Sequence, residues 1–385
     1  MKKLALLCCA LMLSGCSWMK FWESDEDKAL APAPLVKFDE EVRVRKLWSR
    51  SAGSGQDPLY ASLVPVLDGG VLYAADGKGR VYALDAETGK VKWQQKLDKS
   101  LSGGVGAGGG LVLVADLRGT LFALDAATGD VRWRVKIHSE MLSAPVANRR
   151  VVVIQALDAR VVGLSPADGS VLWQYATDAP ALTLRGTSTP LLTDSAVVSG
   201  FANGRVVALN PANGSVLWEN RVALPKGRTE LERIVDIDGA PLLVNDVVYV
   251  TSYQGRAAAM SRGAGRALWY QDISSYRQPA FGQDQIYISK DNDELAALRA
   301  NSGQVLWTND QLANRGLTAP NYVDGHVVVG DAEGFLHVLS PVDGRFVGRT
   351  KVSGSGLTVA SVTDGSTLYV LANDGKVVAY RFEKR

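Results

Sequence analysis

From about residue 60 onward, apolar and polar positions alternate in short runs separated by clusters of Asp, Asn, Gly and Thr. Period-two alternation of this kind predicts half-buried β-strands, and the clusters predict tight turns. The pattern is most regular in residues 79–93, GRVYALDAETGKVKW, and again in residues 119–133, GTLFALDAATGDVRW. In the first copy Val81, Ala83 and Asp85 fall on one face, with Tyr82 and Leu84 on the other. Asp85 is placed to cap the turn, and Gly89 supplies the positive φ that a hairpin loop of this length needs. Val91 and Trp93 then share one face of the returning strand.

Similar hairpins close on Trp173, Trp218, Trp269 and Trp307, and from Trp93 onward the Trp-to-Trp spacings are 40, 40, 45, 51 and 38 residues. A seventh copy keeps Gly334, Leu339, Asp343 and Gly344 but carries Gly348 where Trp is expected. An eighth opens at Asp374-Gly375 and ends with the chain, before any Trp. The missing strand is predicted at the other end, where Arg43–Trp48 has no hairpin before it. Strand-rich units of about forty residues define a β-propeller. The fold expected for residues 42–385 is therefore all-β: eight four-stranded antiparallel blades, the last closed by the N-terminal strand. In the first blade the strands are predicted at about Ser62–Leu67, Val71–Ala75, Arg80–Leu84 and Lys90–Trp93. Pro65, Pro145, Pro190, Pro241, Pro279 and Pro320 recur in successive first strands, which suits an edge lining a central channel. Trp48, Trp93, Trp133, Trp173, Trp218, Trp269 and Trp307 are expected to fill the widening gaps between blades.

Two connections depart from the repeat, Ala176–Ser188 (ATDAPALTLRGTS) and Arg221–Ala240 (RVALPKGRTELERIVDIDGA). Both flank a single blade and are predicted on the rim opposite the Asp-x-x-Thr-Gly turns. Thr229-x-x-Glu232 is a capping-box pattern, with Leu231, Ile234 and Val235 as the stripe of a one- or two-turn helix. Leu182 and Leu184 beside Arg185, together with Asp236 and Asp238, read as exposed apolar groups rimmed by both signs of charge, as in a protein-binding patch. The alternative, leucines packed on the blade with solvated charges around them, stays open at this point.

Composition changes the picture in two ways. The 42 Lys and Arg nearly balance the 40 Asp and Glu, which gives no support to a nucleic-acid partner. At the N-terminus, Lys2 and Lys3 precede a short apolar run, Leu4–Leu13, too short to span a bilayer and typical of a secretory leader over residues 1–15. The sequence Leu13-Ser14-Gly15-Cys16 resembles a bacterial lipobox, which implies lipidation of Cys16. Ser17 after it implies sorting to the outer membrane. Cys8 and Cys9 would leave with the leader, so no disulfide is expected. Residues 16–41 lack periodicity, carry an acidic run and an Ala-Pro-Ala-Pro stretch, and read as the lipidated Cys and a flexible tether.

Candidate chemistry is sparse. Gly104-Val105-Gly106-Ala107-Gly108-Gly109 matches a dinucleotide-type glycine pattern, but a strand follows it and no helix, so it is expected to be a tight turn. His138, His326 and His337 have no partners at metal-ligand spacing. The repeated Asp85, Asp125, Asp168 and Asp343 are accounted for by turn chemistry. No enzyme, metal or cofactor is expected.

The repeated A-L-D-A-x-T-G-x-V-x-W resembles the tryptophan-docking repeat of quinoprotein propellers. LTLRGTSTP at 182–190, TELERIVDID at 229–238 and GDAEGFLHVLSPVDGRFV at 330–347 narrow the resemblance to the propeller lipoproteins of the β-barrel assembly machinery. That resemblance implies a scaffold on the periplasmic face of the outer membrane. It would dock the POTRA domains of the insertase BamA and join the rest of that complex, with Leu182, Leu184, Arg185, Asp236 and Asp238 at the contact. Two other functions fit the repeat: a PQQ-dependent periplasmic dehydrogenase, and a holdase that pairs unfolded outer-membrane proteins at its blade edges.

Overall fold

Each alternating run forms a strand, and the turn clusters send each strand back antiparallel to the one before. The computed structural model describes residues 31–57 and 61–385. The leader, Cys16 and the tether as far as residue 30 lie outside the described residues. Eight sheets follow one another along the chain. In the first blade the strands are Val66–Asp68, Val71–Ala75, Arg80–Asp85 and Val91–Lys96. The eighth runs Val362–Thr363, Leu368–Leu371, Lys376–Lys384, and its outer strand is Val42–Ser51, paired antiparallel from Val42↔Lys384 to Ser51↔Lys376. The N-terminal strand thus closes the ring, and the protein is an eight-bladed β-propeller.

One predicted strand divides. Ser62–Leu63 leaves the first blade and pairs in parallel with Leu101–Gly108, the inner strand of the second. Pro65 sits at the break, where its missing N–H cannot serve a ladder. The other recurrent prolines likewise directly precede inner strands, as Pro145 precedes Val146–Ala147. The glycine-rich stretch is corrected too: 104–108 belongs to the inner strand, and only Gly109-Gly110 turns. A Cβ on Gly106 would lie 1.9 Å from the Pro145 carbonyl oxygen, so glycine lets the inner strands of neighbouring blades touch backbone to backbone.

Side chains from two adjacent blades share each core. Tyr73, Val81 and Trp93 of the first blade meet Val112, Phe122 and Leu124 of the second. Each Trp lies on the next blade's hairpin and donates its indole N–H to a carbonyl there: Trp48 to Ala86 (3.0 Å), Trp93 to Ala126 (2.9 Å), Trp133 to Pro166 (2.8 Å), Trp173 to Pro211 (2.8 Å), Trp218 to Arg262 (2.7 Å), Trp269 to Ala300 (2.8 Å) and Trp307 to Pro341 (2.9 Å). The turn glycine is what the ring rests on. At Gly129 an added Cβ would fall 2.6 Å from the Trp93 ring.

Gly348 now has a reason. The blade after it is the split one, so no hairpin turn exists there to receive a Trp. The start of the N-terminal strand crosses instead, and a Cβ on Gly348 would come 2.8 Å from the Val42 carbonyl oxygen.

Residues 31–41, assigned by sequence to the flexible tether, are instead laid along the seventh blade as a strap. The Ala33 N–H donates to the Ala313 carbonyl (2.9 Å) and the Glu41 N–H to Val347 (2.9 Å). Arg315 donates to the Ala33 carbonyl (2.7 Å), Arg349 to that of Val36 (2.9 Å), and Phe38 packs on Phe346 at 5.6 Å.

Candidate docking site

The two long connections lie where the pattern put them. Residues 177–190 leave the outer strand Val171–Ala176, and residues 222–241 leave Val216–Arg221. Both lie on the rim opposite the capped hairpins. The capping box forms: Glu232 accepts from the N–H groups of Arg228 (2.6 Å) and Thr229 (3.1 Å), and the Thr229 hydroxyl accepts from the Glu232 N–H (3.3 Å). Those backbone bonds hold the Glu232 carboxyl below its ordinary range. The predicted helix does not follow. The chain makes one turn, with Arg233 N–H to Glu230 and Ile234 N–H to Leu231, and then extends. Ile234 and Val235 are buried, which pulls the segment down onto the blade, while Leu231 is 67% exposed.

The aspartates do a different job from the one the sequence suggested. Asp236 is not a rim charge. It is fully buried, and its carboxylate accepts the N–H of Leu184 in the other loop. Ser188 adds a second tie by donating to the Gly239 carbonyl (3.1 Å). Asp238 is half-buried against Gly186, where a Cβ would fall 2.5 Å from its Oδ2. Burial pushes the Asp236 carboxyl up to about 7, against the pull of the Leu184 N–H. Burial raises Asp238 as well, and the neighbouring Asp236 adds to it. Asp236 fastens one loop to the other, with Asp238 packed against Gly186 beside it. In the first loop Leu182 is 44% exposed, Leu184 is half-buried, and Arg185 is exposed with a bond to Glu140 (2.7 Å) in the preceding connection.

A folded-state pKa above the unfolded value means the native protein holds the extra proton. Asp236 therefore costs stability increasingly as pH rises from about 4 to about 7. Asp236→Asn keeps an acceptor for Leu184 and removes the titration. Its melting temperature relative to wild type should climb across that window and then level off. Parallel melting profiles for the two proteins would refute this.

Sequence reasoning missed an aromatic neighbour of the loops. Tyr253 and Tyr276 meet edge to face at 6.3 Å, and the Arg277 guanidinium lies 4.3 Å over the Tyr276 ring. The one available signal was Ser252-Tyr253-Gln254, which replaces the Asp-led turn of Asp76 and Asp116 in earlier blades. These residues and the loops line the mouth of the central channel, a space of about 930 Å³ whose walls include Pro65, Pro145, Gly106, Ala319 and Ala360. Among the described residues no His, Cys, Asp and Glu converge in a group of three or more.

The closed ring, with two long connections interlocked at one rim, defines the class by fold: an eight-bladed β-propeller. Residues 35–103, 78–309 and 295–384 match the family described as outer membrane protein assembly factor BamB. The protein of that name from Pseudomonas aeruginosa is 51% identical over 98% of both chains. The crystal structure of BamB from Moraxella catarrhalis superimposes with a TM-score of 0.81 at 29% identity, covering 88% of this chain and all of that one. The chain belongs to the BamB family of outer membrane protein assembly factors, and it is a scaffold, not an enzyme. A quinohemoprotein alcohol dehydrogenase from Comamonas testosteroni shares the fold alone, with a TM-score of 0.67 at 13% identity over 88% of this chain and 76% of that one.

Proposed function

We propose that the protein is a lipoprotein held through Cys16 on the periplasmic face of the outer membrane, where it docks the POTRA domains of BamA within the β-barrel assembly complex. The observation that carries this reading is the coupling of the two long loops. A buried carboxylate in one loop fixes the backbone of the other at Leu184, so Leu182, Leu184 and Arg185 are held ready beside Tyr253 and Tyr276. A surface ordered before contact loses little entropy on binding, which favours a stable complex. Apolar groups rimmed by an arginine and tyrosines match the make-up of interface hot spots.

Leu184→Asp places a charge at the centre of this patch. Recovery of BamA with the variant from detergent-solubilised outer membranes should fall at least about tenfold, with the melting temperature unchanged. Asp236→Lys should lose both BamA and loop order, since it puts a cation into a buried site. Full recovery of BamA with Leu184→Asp would move the interface elsewhere.

A further inference from the structure

The outer wall of the ring is divided by charge. Every blade ends in an outer strand, and three consecutive ones share a composition: Val42–Ser51 (VRVRKLWSRS), Val91–Lys96 (VKWQQK) and Val131–Lys136 (VRWRVK). Together they carry nine Lys or Arg, all exposed, and no Asp or Glu. The next outer strands are different. Val171–Ala176, Ala267–Gln271 and Val305–Asn309 carry no charge, Val216–Arg221 carries one of each sign, and Phe346–Lys351 of the seventh blade carries Arg349, half-buried and bonded to the strap, and Lys351, bonded to the Glu333 carbonyl. In a chain with 42 cations and 40 anions, this is a sector of one sign on blades eight, one and two. Charged residues on an edge strand, Lys above all, also discourage sheets from pairing, but blades three, five and six do without them. Among the described residues, Arg45 pairs with Glu383 (2.7 Å) and Arg132 with Asp125, so part of the charge is met locally.

The strap ties this sector to the N-terminus. Residues 33–41 run along the seventh blade and feed directly into Val42–Ser51, the first strand of the basic wall. Whatever holds the N-terminus therefore holds the ring beside that wall. The docking loops, between blades three and five, lie on the far side of the ring.

We infer that this wall is a membrane-contact surface for anionic phospholipid headgroups, a second attachment beside the lipid at Cys16. A lipid at Cys16 fixes only the N-terminus, whereas a basic surface is drawn onto anionic headgroups and would set how the ring itself lies on the leaflet. With the wall against the leaflet, the ring stands on its side, and its docking loops sit on the part of the ring far from the lipid with the channel mouth facing sideways. The inference rests in part on the proposed anchorage at Cys16, so its test leaves the lipid out and the two can fail separately.

Within 31–385 the described strands close the ring on themselves, so this span without its lipid is the probe. The test is co-sedimentation with vesicles of phosphatidylcholine alone or mixed with phosphatidylglycerol. The expected result is binding to the mixed vesicles only, released as salt is raised past the range where exposed charges are screened. Arg43→Glu, Lys92→Glu and Arg134→Glu combined, one change per strand, should weaken that binding by at least about tenfold while the melting temperature holds. Equal sedimentation with both vesicle types, no binding to either, or no effect of the triple change in a folded protein would each overturn the inference. The last two outcomes would leave an acidic protein as the partner to seek.

Discussion

Trp133→Ala should lower the melting temperature by on the order of 5–10 °C, while Leu172→Ala, also on an outer strand, should leave it nearly unchanged. Trp133 is 8% exposed, fills the seam between the second and third blades, and donates its indole N–H to Pro166. Truncation removes that bond and opens a cavity over Gly169, a cost of about 3–5 kcal/mol. Leu172 lies half in solvent on the outer strand of the third blade, so shortening it uncovers little. A propeller has no core apart from its seams, so a seam opened at one blade weakens the closure of the whole ring. Differential scanning calorimetry of both variants checks this. Equal melting temperatures would show that the indoles are not what joins the blades.

Asp331→Ala should be comparably damaging and should also free the strap. Asp331 is fully buried and accepts from Arg315 Nε (2.8 Å), from the Phe335 N–H (2.8 Å) and from His337 (2.8 Å). Arg349 donates to His337 Nδ1 (3.1 Å), so His337 is neutral with its proton on Nε2, directed at Asp331. Burial depresses the His337 pKa, partly offset by Asp331. Burial alone would raise Asp331, but its bonds from His337, Phe335 and Arg315 outweigh that and hold it low. The same two arginines grip the carbonyls of Ala33 and Val36. Removing the carboxylate leaves the buried Arg315 guanidinium with the half-exposed Glu333 as its remaining ionic partner and takes the acceptor from His337 and the Phe335 N–H, a loss of about 3 kcal/mol, the low end for breaking a buried pair. Hydrogen exchange over residues 33–41 should accelerate together with a fall in melting temperature. Retained protection there would show that the strap is held by other contacts.

The pH dependence of this cluster follows in sign from both shifts. Asp331, with a lowered pKa, stabilises the fold above the ordinary carboxylate range, and that contribution is lost as pH falls through its folded value. His337, also lowered, adds a loss as pH drops below about 6.5, because the unfolded chain takes a proton that the native site refuses. Acid therefore loosens the strap, whereas it relieves Asp236.

What could be read from the sequence was whatever the repeat encodes locally. Asp85, Gly89 and Trp93 announce a cap, a turn and a ring, and each is answered within one blade or the next. The ring closure was legible because Trp48 arrives without a hairpin and Asp374-Gly375 opens one that never finishes. Three features were not legible, for one shared reason: their partners are remote or lie beneath the surface. The strap has no periodicity because it is held by backbone carbonyls captured by arginines 282 and 313 positions away. Gly348 departs from the repeat because the Val42 carbonyl lies where a side chain there would go, a contact that no local pattern encodes. Asp236 and Asp238 read as rim charges ending the second loop, yet Ile234 and Ile237 are buried and draw Asp236 under with them. The two loops are legible from their length, the capping box and the leucines beside Arg185, whereas their interlocking depends on a buried contact between them.

The central claim is that the interlocked loops form the docking face, and its most direct test is the affinity of the purified protein for the periplasmic region of BamA. Wild type should bind saturably. Leu184→Asp should bind at least about tenfold more weakly, and the triple reversal on the basic wall should bind as wild type does. Equal affinity for wild type and Leu184→Asp would contradict the account, and a loss confined to the basic-wall variant would transfer the docking face to the opposite side of the ring.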